Sequence, residues 1–575
     1  MIPSQIFSGL AVTLCLQIDL ILIGIFVGVD GIAAYGLANP VHLFFTAVTG
    51  LFSMGIATVC SQLVGKGDVK GVNGNFSSAV FSSLLFSGLF ILVMFLGSDS
   101  LITLLGAEKG TALFTMTKEY LDGYLIGVPA YFLMTVVTAY LQIAGKRRGV
   151  MLSSLVMTGL DVILDLFVGL VWKNGMFGMG LATAISEIAG CLVAILCLFG
   201  KNRMFRFRFP SVSFRQILGI LTQGLPIAIN QICFTVSLLV LNRLLLVYGG
   251  SNGVAVYSVL SSISSLCFCA SQGVGTTVQM LTGIFFGEKD RNNVYETLKQ
   301  GFIWAFLLNT VIAAVIILLA RPVAGLFVSD NAEVTNLTVH AIRLNMFNIV
   351  PMSICVVFKN YYPCIRKLTL SILTGVLENL VLIVPVNYLM GALFGLDGLW
   401  IAKTVGELLT LVFIAIVSMI KSRRAGLEVK ILSLIEEDFV LSDDQIACFD
   451  IRNLEDAAAA SENAGKFCRN LGCPSGRANY ISLCIEEMAA DIIGRSFEPN
   501  RNNLIQVRLV RQEDGWTIRM RDNCRNFDIV HYMELYKEDD SISHLGVRMV
   551  SKMITEAKYI NSLGFNCLTM NLSEP

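Results

Sequence analysis

Gly31-Ile-Ala-Ala-Tyr35 returns 222 residues later as Gly253-Val-Ala-Val-Tyr257. The same offset brings Gly65 onto Gly287, Asp68 onto Asp290 and Pro129 onto Pro351. With a one-residue gap, Pro3 meets Pro226 and Asp19 meets Asn242. Agreement over so many positions marks a duplicated unit. Both copies lie in strongly apolar sequence, so what has been duplicated is a block of membrane helices.

The composition of the whole chain points the same way. Of 575 residues, 55% are hydrophobic and 15% charged, more apolar and less charged than a soluble protein of this length. A bilayer crossing needs about 20 apolar residues. Apolar runs near 3–27, 37–64, 77–105, 119–144, 150–171 and 178–200 fill the first copy. Runs near 216–248, 254–286, 300–327, 338–362, 368–391 and 397–420 fill the second. The expectation is twelve transmembrane helices, six in each of two lobes, 1–210 and 211–425. An even number per lobe makes the repeat parallel, with both lobes entering from the same side. The first run has no basic leader and reads as a retained span.

Basic residues set the orientation. Lys66 and Lys70, Lys146 to Arg148, Lys201, Arg203, Arg206 and Arg208, Lys289 and Arg291, Arg366 and Lys367, and Lys421, Arg423 and Arg424 all follow even-numbered spans. After odd spans the main bases are Lys109, Lys118 and Lys173. Both termini are therefore expected on the cytoplasmic side of the inner (plasma) membrane.

From residue 426 onward the chain changes phase, with 24 acids and 16 bases, against 18 acids and 26 bases before it. A charged linker is expected over 426–449 and a soluble α+β domain over 450–575. The neutral total hides two opposite surfaces and gives no reason to expect nucleic acid. The 15 cysteines show no CxxC spacing and read as free thiols.

Charges inside spans are costly and usually face a cavity or a partner. The first span carries Asp19, the fifth Asp161 and Asp165, and the sixth Thr183 and Glu187. In the second copy Glu378 and Asn379 lie on the eleventh span, and Lys403 and Glu407 on the twelfth. Spacing of four puts Asp161 with Asp165, and Thr183 with Glu187, on one helix face. Converging carboxylates of this kind can hold a proton or bind Na⁺ through oxygen. Lys403 and Glu407 read most simply as an intrahelical ion pair, and Glu187 and Glu407 as matching architectural positions.

The pattern Asp19…Gly24, Ala33-Ala-Tyr-Gly-Leu-Ala-Asn-Pro40, Gly65-Lys-Gly-Asp68, Leu164-Asp165 and Gly178-Met-Gly-Leu-Ala-Thr183 resembles the MATE family of multidrug and toxic compound extrusion transporters. The resemblance covers about residues 1–425. It implies a two-lobed antiporter that exports organic, often cationic, compounds in exchange for H⁺ or Na⁺. It also implies that Asp19, Asp161, Asp165 and Thr183 occupy the family's N-lobe ion site, with Asp161 standing where Asn is usual.

In the tail, Ile481 to Ile493 carries Glu487 and Asp491 one turn apart. Arg521 to Asp528 forms a polar turn, and Ser543 to Val550 opens a helix near Gly546. In this order the three pieces resemble the boxes of the GHKL-type (Bergerat-like) ATP-binding fold, in its anti-sigma-factor kinase branch. The resemblance implies Mg-ATP as ligand, with Glu487 as the acid, Asp491 as the Mg²⁺ ligand, Asp522 as the adenine contact and Gly546 in the phosphate loop. It also makes a regulatory protein partner an expectation. Three departures argue against ATPase or kinase activity: Asp491 where Asn is usual, and Cys524 and His544 where Gly is expected.

Two other readings stay open. One is a lipid-linked saccharide flippase of the same wider superfamily, which would line its cavity with bases. The other is a membrane-tethered signalling protein. A motor ATPase is disfavoured because no GxxxxGK[ST] loop is present.

Overall fold

The computed structural model describes all residues except 1, 106, 199–204, 206, 208, 328–331, 425–433, 435–444, 500, 513–514, 537–544 and 574–575. The expected roles of Lys201, Arg203, Arg206, Arg208 and His544, and most of the linker, lie outside the described residues. The chain divides into two compact units, a helical one of residues 1–65, 70–142 and 147–436 and an α+β one of residues 437–575 with the short segments 66–69 and 143–146.

The helical unit begins with α1 (Ile2–Phe26), α2 (Val29–Gly65), α3 (Val69–Leu104), α4 (Ala112–Leu125), α5 (Val128–Ile143), α6 (Arg147–Phe167) and α7 (Gly175–Leu198). It continues with α8 (Phe214–Gly287), α9 (Arg291–Leu318), α10 (Ala320–Phe327), α11 (Ala332–Asn345), α12 (Ile349–Cys364), α13 (Leu368–Val376) and α14 (Ile383–Arg424). Among the described residues nine helices are long and apolar enough to cross a membrane, or ten if α4 and α5, bent by 47°, form one crossing. The outward faces are apolar, as lipid requires: Phe95, Leu96, Leu196 and Leu318 are among the exposed side chains.

Two helices, α8 with 74 residues and α14 with 42, are long enough for about two bilayer thicknesses. At 1.5 Å per residue the 74 residues of α8 would run roughly 110 Å, against a hydrocarbon core of about 30 Å. α8 breaks at Gly250 (φ 56°), and α14 breaks at Gly395 (φ 60°). A left-handed backbone is nearly free of strain for glycine, so both breaks fall where a sharp reversal is least costly. These positions obey the sequence repeat. Under the offset of 222, Gly28 (φ 92°) falls on Gly250, Gly67 (φ 70°) on Lys289 (φ 56°), and Lys173 (φ 51°) on Gly395. The two halves thus share backbone turns as well as residues.

The halves meet through α2 and α8, whose backbones touch at small residues. A Cβ on Gly55 would lie 2.0 Å from the Ile220 carbonyl oxygen, and one on Gly224 would lie 2.0 Å from that of Leu51. Without a hydrophobic drive between helices in lipid, such close approach is what holds them together.

The α+β unit contains β1 (Ile446–Ile451), α15 (Leu454–Asn470), α16 (Ser475–Ser496), β2 (Ile505–Gln512), β3 (Gly515–Asp522), α17 (Ile529–Leu535), α18 (Leu545–Met553), β4 (Glu556–Ser562) and β5 (Phe565–Ser573). Its sheet is antiparallel throughout, in the order β1-β2-β3-β5-β4. Ile505, Val507 and Leu509 of β2 alternate inward and meet Ile481, Ile485 and Met488 of α16 in one core. α15 and α16 are tied by reciprocal bonds: Ser461 Oγ donates to the Ser482 carbonyl (3.0 Å), and Ser482 Oγ to that of Ser461 (2.8 Å).

Two elements depart from expectation. β1 lies inside the stretch read as linker. It is an edge strand with little burial before Ile451, and the acids around it mask its signal. α17 is unexpected: it follows the polar turn of Arg521 to Asp528, whose last residue caps it by accepting from the His531 amide (3.0 Å).

Candidate functional site

The acids of the N-terminal lobe meet in its interior. α1 brings Asp19 (4% exposed), and α6 brings Asp161 and Asp165 (1% each). Facing oxygens of Asp19 and Asp161, and the thiol of Cys15, all lie within 4.8 Å of one another. Cys15 Sγ donates to Asp161 Oδ2 (2.7 Å), and Ser186 Oγ donates to Asp161 Oδ1 (2.9 Å). Oδ1 of Asp19 and Oδ1 of Asp165 are buried without a hydrogen-bond partner. Ionised carboxylates only accept, so acids this close need a proton or a cation among them. Thr183 is on α7 one turn before Glu187, and its hydroxyl donates to its own helix, at the Met179 carbonyl (3.4 Å). Glu187 is buried too, with its Oε2 toward the start of α5, where a Cβ on Gly127 would lie 2.6 Å from it.

Sequence reasoning missed Cys15 and Ser186. Cys15 is four residues before Asp19 and so on the same helix face, a signal that was available. Ser186 had none, because the contact depends on how α7 is turned against α6.

The C-terminal lobe is built differently. Lys359 of α12 is paired with Glu378 (Nζ–Oε2 2.7 Å), which lies on a π-turn between α13 and α14. This corrects the expected Lys403–Glu407 pair. Among the described residues Lys403 makes no ion pair within 4.0 Å; its ammonium lies 6.0 Å from the centre of the Phe234 ring. Glu407 is 1% exposed, and neither of its oxygens has a hydrogen-bond partner. Cys355, Glu378 and Glu407 form a second group with ligand atoms within 4.8 Å. Lys359 was overlooked because it sits near the end of an otherwise unremarkable apolar run. Among the described residues the cysteines form no disulfide.

The MatE family profile matches residues 5–167 and again 226–389, once per lobe and at nearly the same offset as the repeat. The chain belongs to the MatE family. Probable multidrug resistance protein NorM of Thermotoga maritima is 28% identical over 54% of this chain and 68% of its own length. Multidrug export protein MepA of Staphylococcus aureus is 24% identical over 68% of this chain and 86% of its own. An outward-facing MATE transporter of the MOP superfamily shares the fold, with a TM-score of 0.69 and 24% identity over 74% of this chain and 94% of its own. A MOP superfamily transporter from Pyrococcus furiosus gives 0.68 and 23%, with the same coverage. This MatE chain is thus a multi-pass membrane protein.

In the α+β unit the four expected residues fall into two groups. Glu487 of α16 lies against the start of α18, where a Cβ on Gly546 would be 1.9 Å from its Oε2. Burial and the neighbouring Asp491 and Glu486 push the Glu487 carboxyl above its ordinary range. Asp491 is held by Arg495 (Oδ1–Nε 3.3 Å), whose guanidinium also covers the Tyr532 ring at 4.3 Å. Asp522 ends β3 only 4% exposed, and its Oδ1 accepts from Asn566 Nδ2 (2.7 Å) and the Cys524 amide (3.0 Å). Burial raises the Asp522 carboxyl, partly offset by the Asn566 bond, and pushes the Cys524 thiol up to about 12. Asp491 and one oxygen of Asp522 are thus both engaged within the unit, by the Arg495 guanidinium and by Asn566 with the Cys524 amide. Asn566, the residue that turns Asp522 inward, is on β5 and carried no sequence signal.

Proposed function

We propose that this MatE chain is a cation-coupled antiporter that exports organic compounds across the inner membrane. Twelve crossings follow if α4 and α5 form one, α8 crosses on either side of Gly250, and the run from α13 through α14 crosses on either side of Gly395; the basic loops then argue for both termini in the cytoplasm. The observation that carries the reading is the buried group of Asp19, Asp161 and Asp165, with two unpartnered carboxylate oxygens and no neighbouring base paired to it among the described residues. Such a group suits H⁺, shared between carboxylates. It also suits Na⁺, for which the acids, Ser186 and Thr183 supply oxygens. Loading it neutralises the N-lobe interior, changes which lobe packing is favoured, and so changes affinity for the exported compound.

The α+β unit is proposed as a regulatory module that grips a protein partner rather than Mg-ATP, on the engaged state of Asp491 and Asp522. ATP added to the full chain should then leave its melting temperature unchanged; a rise saturating with ATP and requiring Mg²⁺ would restore the nucleotide-binding reading.

The exporter is tested in proteoliposomes holding the full chain, with ethidium and nalidixate as cargo and pH and Na⁺ gradients imposed separately. Flux of either compound should follow one gradient and vanish in Asp19→Asn. Folded, inserted protein that moves neither compound under either gradient would sink the proposal.

A further inference from the structure

The expectation of a cationic cargo comes from the family resemblance, and the N-lobe acids and the cavity occupy different lobes. A cavity of about 330 Å³ opens within the C-terminal lobe, bounded on one side by Thr13 of α1. That volume suits a single drug-sized solute. Its charged lining consists of Lys359, Glu378 and Lys403. The first two neutralise each other across 2.7 Å. Lys403 therefore brings to the wall a positive charge with no carboxylate within 4.0 Å among the described residues. Glu407, one turn further along α14, does not line the cavity and lies beyond ion-pair distance of Lys403.

An unpaired ammonium at membrane depth is expensive unless something answers it. The amides around it are also incompletely satisfied. Asn387 (2% exposed) has a buried Nδ2 donor with no partner, and Asn348 (1% exposed) a buried Oδ1 acceptor with none. Both line the same cavity. Phe234 and Phe268 provide an apolar wall beside these polar groups. A solute filling this space needs an anionic group for Lys403 and Asn387, a donor for Asn348 and a flat apolar body for the phenylalanines.

We propose that the C-lobe cavity is the cargo site and that it takes organic acids: compounds with a carboxylate or phosphate on an aromatic or apolar body, the anion seated on Lys403. This deepens the exporter reading and rests on it for the direction of transport. The same chemistry could be offered by a free solute or by a lipid headgroup, and the volume favours a free solute.

The test is calorimetric binding to the full chain in phosphatidylcholine nanodiscs, with no gradient present. Nalidixate, an aromatic carboxylate, is compared with its neutral methyl ester and with ethidium. Wild type should bind nalidixate at least tenfold more tightly than the ester. Lys403→Gln should erase that preference, and Lys403→Arg, which keeps the charge, should retain most of it. Asp19→Asn, which abolishes gradient-driven flux, should move the affinities for acid and ester together and keep their ratio above tenfold, so failure of coupling and failure of this site give different results. Phosphatidylglycerol in the nanodisc that displaces nalidixate would uphold the anion site and identify a lipid as its occupant. Ester and acid bound equally, or ethidium bound more tightly than nalidixate and unaffected by Lys403→Gln, would overturn the proposal.

Discussion

The two lobes descend from one repeat and keep the same left-handed turns, yet their interiors solve the problem of buried charge in opposite ways. In the N-terminal lobe Asp19, Asp161 and Asp165 crowd together, helped by neutral donors that include Cys15 and Ser186. In the C-terminal lobe Glu378 has its own counter-ion in Lys359, and a second lysine faces a cavity. An interior short of positive charge needs a cation to come and go. One that supplies its own has no such need and is free to bind something else. Duplication kept the scaffold, and substitution at a few interior positions divided the labour.

That contrast can be broken by mutation. The largest effect expected is that of Asp19→Asn, which removes one of the facing carboxylates; gradient-driven flux in proteoliposomes should fall by about two orders of magnitude, as when an essential proton-carrying group is lost. Glu407→Gln is the matched change in the other lobe and should leave flux within about twofold, the scale of a residue outside the coupling step. Equal losses from both changes would end the asymmetry.

Stability separates the lobes in the other direction. Lys359→Met strands Glu378 in a buried site and should destabilise the chain by about 3–5 kcal/mol, read from thermal unfolding in detergent. The double change Lys359→Met with Glu378→Gln should recover most of that loss. Among the described residues no base is paired with the N-lobe acids to give such a rescue, and Cys15→Ala, which deletes one donor to Asp161, should cost only about 1 kcal/mol.

The smallest effect lies outside both lobes. Asp522 has a carboxyl raised by burial, so the folded α+β unit binds its proton more readily than the unfolded chain does. Its contribution to stability is present at low pH and is lost as pH rises from the ordinary carboxylate range through the folded value. Asp522→Asn should flatten that fall in melting temperature and leave flux unchanged. A flux defect in this variant would tie the unit's core to transport.

Much of this was legible in the chain alone. Apolar runs, the offset of 222 and the basic loops follow from rules that act along the sequence: bilayer thickness, helix rise and the charge bias of loops. The tail's helices and central strands were legible from periodicity, whereas β1 and α17 were hidden because an edge strand and a short capped helix bury too little to leave a pattern. Asp19, Asp161 and Asp165 stood out because a carboxylate in a span is rare.

Which charge meets which was decided only in three dimensions. Spacing of four favoured Lys403 with Glu407, but α12 delivers Lys359 to Glu378 from 19 residues away, and Lys403 turns toward Phe234 and the cavity. In the same way Asn566 on β5 takes Asp522 inward, though the two are 44 residues apart in the chain. Periodicity and composition reflect the local backbone and the solvent around it. Partners drawn from different helices or strands depend on how those elements pack, and packing is set by the whole interior at once.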